Sequence, residues 1–226
     1  MRSKSLAYLG AALVAVSLMA GCARKSATMA KAPVATDAAT SAVAFLGKKF
    51  AVIPFTIPAT DADLLAGYLP AARVVPEMAP VHLDAALDQA LAGAKQSFVP
   101  AQMAAACAKS APRGEESGRL GTLRYYQNVG KCAGVDYVVV PMVIDWRERV
   151  GSEVGSTHPA SVDFVLYLID VRTGGLVKQF HFDETQKSLA ENILDAKKFV
   201  ARNGRWLSAM ELAQEGLRQG IAEFGL

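Results

Sequence analysis

Asp136-Tyr-Val-Val-Val-Pro-Met-Val-Ile-Asp-Trp146, Ser161-Val-Asp-Phe-Val-Leu-Tyr-Leu-Ile-Asp-Val171 and Leu176-Val-Lys-Gln-Phe-His-Phe-Asp183 follow one another with short connections, and their reading decides the fold. The first run is apolar at nearly every position up to Ile144, which suits a central strand covered on both faces. The third alternates, with Phe180 and Phe182 on one face and Gln179, His181 and Asp183 on the other, so one side of the sheet is wet by that point. Arg172-Thr-Gly-Gly175 joins the last two runs. A turn with Gly174 in the left-handed conformation sets Leu166 opposite Phe180 and Phe164 opposite Phe182, which keeps both apolar rows on one face. The same register places Asp163 opposite Asp183.

Working outward, Lys48 to Phe55 reads as a first strand closed by Pro54 and Pro58. Thr56 to Pro80 is proline-rich and without sustained period, a long loop with one short helical turn expected near Asp61 to Tyr68. Pro80 then opens a helix whose stripe is Leu83, Leu87, Ala90, Leu91 and Ala94. Ser97 to Pro100 is a short second strand, followed by a helix through Met103 and Cys107. After the polar break Arg113 to Gly118, a second helix carries Leu120, Leu123, Tyr126 and Val129 and stops at Gly134. Helix, glycine and apolar run in that order are the crossover pattern of a parallel strand. Leu189 to Val200 reads as irregular helix. Ser208-Ala-Met-Glu211 is a capping box, opening a last helix with Met210, Ala213, Leu217, Ile221 and Phe224 on its buried side. The order predicts an α/β (α+β) domain: a mixed five-stranded sheet, parallel part first and antiparallel meander after, with helices packed on it.

The start of the 226-residue chain is of another kind. Arg2 and Lys4 precede an apolar run, Leu6 to Leu18, that is too short to span a bilayer comfortably, and Met19-Ala-Gly-Cys22 ends it. This resembles the lipobox of bacterial lipoproteins, which implies acylation of Cys22; Ala23 after it, rather than an aspartate, implies the outer membrane. Residues 1–21 are then a signal peptide. Residues 22–44, rich in Ala, Lys, Ser, Thr and Pro, form a lipid-anchored tether with a reach on the order of 25 Å, and 45–226 form a single globular domain. Without the signal, the 24 basic residues fall to 22 against 21 acidic ones, a net of +1. With no basic stripe interleaved with aromatics, nucleic acid is not an expected partner. In an oxidising compartment the two cysteines left after lipidation, Cys107 and Cys132, are expected to pair. The rival readings are small core residues or a reactive thiol at Cys107.

Ala51-Val-Ile-Pro-Phe55, Gly134-Val-Asp-Tyr-Val-Val-Val140 and Leu168-Ile-Asp-Val-Arg-Thr-Gly174, in this order, resemble a group of bacterial envelope proteins. The group includes the TolB N-terminal domain, the curli-secretion lipoprotein and the lipoprotein activators of penicillin-binding proteins. The resemblance covers about residues 48–226 and implies a periplasmic accessory or scaffolding module without a cofactor. Members that form secretion channels need long additional strands. Here the comparable insertion, Arg147 to Ala160, is too short for two spanning strands of roughly 9–11 residues each.

No phosphate loop, nucleophile elbow, paired-cysteine zinc pattern or His-Glu-x-x-His occurs, so no catalytic residue, metal ligand or cofactor is assigned. The most suggestive set is Asp163, His181 and Asp183 on the wet face. Two carboxylates and an imidazole suit a divalent cation or a basic partner, whereas the plainer reading is the solvated side of an antiparallel sheet. Trp146, flanked by Asp145, Arg147 and Arg149, is either a recognition anchor or a core residue continuing the row Val138, Val140, Met142, Ile144. The function expected is an outer-membrane-anchored periplasmic lipoprotein, a non-enzymatic binding or scaffolding module in envelope assembly or transport. Its partners would be the membrane, through the lipid, and another envelope protein or a cell-wall component. The alternatives are a small-ligand-binding periplasmic domain, with its cleft at the carboxyl ends of the parallel strands, and a metal-dependent envelope hydrolase using His181, Asp163 and Asp183.

Overall fold

A computed structural model of the chain describes residues 45–187 and 200–226. The expected signal and tether, and all of the expected Leu189 to Val200 helix except Val200, lie outside the described residues. In order come β1 (Lys49–Val52), α1 (Ala79–Leu91), β2 (Ser97–Phe98), α2 (Ala101–Ser110), α3 (Gly118–Ala133), β3 (Tyr137–Arg147), β4 (Val150–Gly151), β5 (Ser156–His158), β6 (Ser161–Asp170), β7 (Gly175–Thr185) and α4 (Ala209–Phe224). The main sheet has five strands in the order β2-β1-β3-β6-β7. β1 runs parallel to both β2 and β3, and β6 and β7 continue antiparallel from β3. Helical crossovers build the parallel half and a tight turn builds the meander, because only the second connection is short enough for a hairpin.

Alternation along the strands sorts side chains into two cores. On one face Phe50, Val139, Phe164, Leu166, Phe180 and Phe182 meet Leu83 and Leu87 of α1 and Leu212, Leu217 and Ile221 of α4. On the other, Ala51, Val138, Val140, Met142, Val165 and Tyr167 meet Ala104 and Cys107 of α2 and Tyr126, Val129 and Ala133 of α3. β3 is buried on both faces, as its unbroken apolar run requires. The β6–β7 register pairs Leu166 with Phe180, Phe164 with Phe182 and Asp163 with Asp183. Gly174 has φ +68°, the left-handed conformation that the turn demands.

Helix α4 lies unusually close to the sheet. A Cβ on Gly216 would meet the Phe182 ring at 2.6 Å, and one on Gly220 would meet Phe180 at 2.6 Å and Leu166 at 2.8 Å. These two glycines, four residues apart on one helix face, let the helix backbone rest on the aromatic row. The Ser208–Glu211 capping box is formed in both directions. Just upstream, the buried Gln186 amide donates to the Leu207 carbonyl and accepts from the Leu207 N–H, each at 2.9 Å, tying the end of β7 to the entry of α4.

Two expectations are corrected, and one element is added. Trp146 does not continue the row of Val138 to Ile144. The β3–β6 register slips between Val143 and Asp145, so Ile144 is an extra residue, and every side chain beyond it changes face. Trp146 is therefore buried in the core beneath α1 and α4, not in the one beneath α2 and α3. Asp61 to Tyr68 forms turns and bends instead of a helical turn. The Asp63 carboxylate takes the N–H groups of Ala59 and Thr60 at 2.9 and 2.8 Å, and Asp61 takes that of Leu69 at 2.7 Å, so side chains replace the helical backbone bonds. The 147–160 insertion contains a small hairpin, β4 with β5, that its Gly- and Ser-rich composition concealed.

Candidate functional site

Two places bring polar groups together. The first is the outer end of the β3-β6-β7 meander, on the face that α2 and α3 leave uncovered. The bulge at Ile144 turns Asp145 to this side, opposite Asp163, which in turn lies opposite Asp183, so three aspartates form a row across three strands. One position beyond, Arg147 and Thr185 flank Ser161.

These groups are occupied with one another. Asp145, 6% exposed, accepts from the Val74 N–H at 2.7 Å and from Arg147 Nε at 2.9 Å. Ser161 Oγ and Thr185 Oγ1 share a hydrogen bond of 2.7 Å. His181 Nε2 sits 2.8 Å from Asp163 Oδ1. That bond raises the His181 pKa above its ordinary value; burial opposes the shift, and the Asp163 and Asp183 charges reinforce it. The predicted trio Asp163, His181 and Asp183 thus shares one patch, with the imidazole and one carboxylate in contact. Among the described residues no three His, Cys, Asp or Glu side chains lie where they could hold a metal ion. Trp146 takes no part: at 8% exposure it cannot serve as an exposed recognition anchor. Cys22 lies outside the described residues.

The second place is a cleft with a cavity of about 630 Å³ between α2, α3 and the segment that follows β1. Its floor is Ile53, Met142 and Tyr126, and its rim carries Lys109, Arg113 and Tyr125. A disulfide joins Cys107 of α2 to Cys132 of α3, their Cα atoms 5.7 Å apart, and so clamps together the helices that form one wall. The Tyr125 hydroxyl donates to the Ala108 carbonyl, and the Arg113 guanidinium lies over the Tyr125 ring, 4.7 Å from its centre. Tyr126 stands against Tyr125 with ring centres 5.0 Å apart. Burial pushes its phenol up to about 12, only partly countered by the hydrogen bond it shares with the Thr56 side chain. A neutral phenol therefore faces the cleft floor at any physiological pH.

Reading the sequence missed this cleft as a set of residues. Lys109 stands in the last turn of α2 and Arg113 in the polar break after it, and only the docking of α2 and α3 on β1 and β3 brings them beside Thr56 and Pro58.

The fold and its two polar places define a three-layer α/β/α domain with a mixed sheet. No family model matches the chain, and no curated protein matches it. Solved structures to which it is similar include a PelC dodecamer from Paraburkholderia phytofirmans, 15% identical over 79% of this chain and 87% of that one, with TM-score 0.43. Another is the C-terminal domain of LpoB from Escherichia coli, 15% identical over 68% and 98%, TM-score 0.38. A third is lipoprotein GNA1162 from Neisseria meningitidis, 15% identical over 69% and 97%, TM-score 0.36. No described helix is long and apolar enough to cross a membrane.

Proposed function

We propose that this chain is an outer-membrane-anchored periplasmic lipoprotein whose 45–226 domain is a non-enzymatic binding or scaffolding module in envelope assembly or transport. The reading extends to the TolB N-terminal, curli-secretion and penicillin-binding-protein-activator group that the strand and turn motifs resemble. The observation that carries it is the N-terminal sequence: an apolar run ending in Met19-Ala-Gly-Cys22, then a spacer of small and polar residues, then the first core aromatic, Phe45. A lipid at Cys22 confines the domain to a thin layer beneath the membrane, and the spacer sets how far it reaches. Confinement of this kind raises effective concentration toward partners in that layer without any new contact.

The Asp163, His181 and Asp183 patch fits this reading as a polar sheet face. His181 is bonded to Asp163 and Ser161 to Thr185, each across neighbouring strands, which favours a structural role over hydrolysis. Two measurements test the proposal. Cys22→Ser should move the protein from the membrane fraction to the soluble periplasm; retention in the membrane would refute anchoring through that residue. The wild type is expected to carry no metal, and the double variant His181→Ala, Asp183→Ala should remain folded with that metal content unchanged. A turnover or bound metal that disappears in this variant would replace the scaffold by the hydrolase.

A further inference from the structure

We infer that the cleft between α2, α3 and the segment after β1 binds a small amphiphilic anion, an apolar body bearing one carboxylate or phosphate. Its place in the fold comes first. The strand order β2-β1-β3 sends the crossover from β1 by way of α1 on one face and the crossover into β3 by way of α2 and α3 on the other. The chain therefore parts at the carboxyl end of β1, beside Met142 of β3, which is the kind of crevice where open α/β sheets bind ligands. The segment leaving β1 pairs with β3 once more at Thr56 and Met142, and this bridge forms the back of the crevice.

Charge then selects the ligand. Four charged side chains, two of each sign, line the cleft: Asp63, Glu116, Lys109 and Arg113. Both acids have partners. Asp63 closes its own turn through the Ala59 and Thr60 N–H groups, and Glu116 stands 3.6 Å from the Arg124 guanidinium. Neither Lys109 nor Arg113 makes an ion pair among the described residues. Arg113 is instead laid on the Tyr125 ring, which fixes the plane of the guanidinium and leaves its edge for a planar or tetrahedral anion. Two cations without an ion-pair partner, at the rim of a cavity whose floor is Ile53, Met142 and Tyr126, accept a ligand that is charged at one end and apolar at the other. The volume of about 630 Å³ lies in the range of small-molecule sites, roughly 300–1,000 Å³.

The inference does not depend on lipidation, so its failure leaves the Cys22 result untouched. The purified full chain, disulfide intact, is titrated calorimetrically with 1-naphthylacetate, 1-naphthyl phosphate and the neutral 1-naphthylacetamide, using buffer of the same detergent content as blank. At least one of the two anions should bind saturably, one per chain and at least tenfold more tightly than the amide; which of them does so assigns the headgroup. Arg113→Gln and Lys109→Gln, both at exposed positions, should each weaken the anion fivefold or more and leave the amide unchanged. Equal binding of amide and anions, no saturable binding of either anion, or anion affinity indifferent to both substitutions would overturn it.

Discussion

His181 and Asp163 show how a single contact sets the chemistry of a side chain. The imidazole is half exposed, yet the carboxylate 2.8 Å away favours its charged form. Because the folded-state pKa is raised above the ordinary histidine value of 6.5, the pair's stabilisation is fully present below 6.5 and is lost as pH rises through the raised folded-state value. Titration of the His181 ring by NMR should give a value above 6.5 that falls when Asp163 is replaced by Asn; an unchanged value would mean that the contact does not form in solution. Trp146 makes the complementary case. Buried with Val162 and Leu207 in one core, it should cost about 3–5 kcal/mol when truncated to Ala, measured by urea unfolding. A surface anchor at the same position would leave stability nearly unchanged.

Elements show where packing overrides propensity. Gly216→Ala would gain about 1 kcal/mol of helix propensity, but the added methyl must displace the Phe182 ring, at a cost of about 1–3 kcal/mol. Net destabilisation in a denaturation curve is expected, and a more stable variant would show that α4 has room to lift. The α2–α3 pair is held differently. Its disulfide closes a loop with a sequence separation of 25, worth about 3.5 kcal/mol in the chain-entropy estimate. The Cys107→Ala, Cys132→Ala variant should lose an amount of that order, and unfolded, unreduced wild type should show neither thiol to a labelling reagent. Since the same bridge clamps the helices that carry Lys109 and Tyr125 and that flank Arg113, its loss should also loosen the cleft rim while leaving the meander register intact.

At the scale of the whole molecule, the sheet divides its labour: the parallel half forms a crevice and the antiparallel half a rigid slab. Much of this was legible beforehand. Strand period, turn chemistry and capping are local, so the runs at 136–146, 161–171 and 176–183, the left-handed Gly174 and the Ser208–Glu211 box by themselves determined the meander, its register and the last helix. They also brought Asp163, His181 and Asp183 to one face. What followed from no local pattern was decided in the tertiary structure. A single unpaired residue, Ile144, reverses the facing of every side chain after it, and a slip of one position leaves no mark on composition or period. The closeness of α4 to the aromatic row depends on two glycines that helix propensity alone would count as defects. The cleft draws Thr56, Lys109, Arg113 and Tyr126 from three segments, and their common address exists only once two crossovers have packed on opposite faces of one strand. Local chemistry therefore determined which elements form. Long-range packing decided which side chains meet.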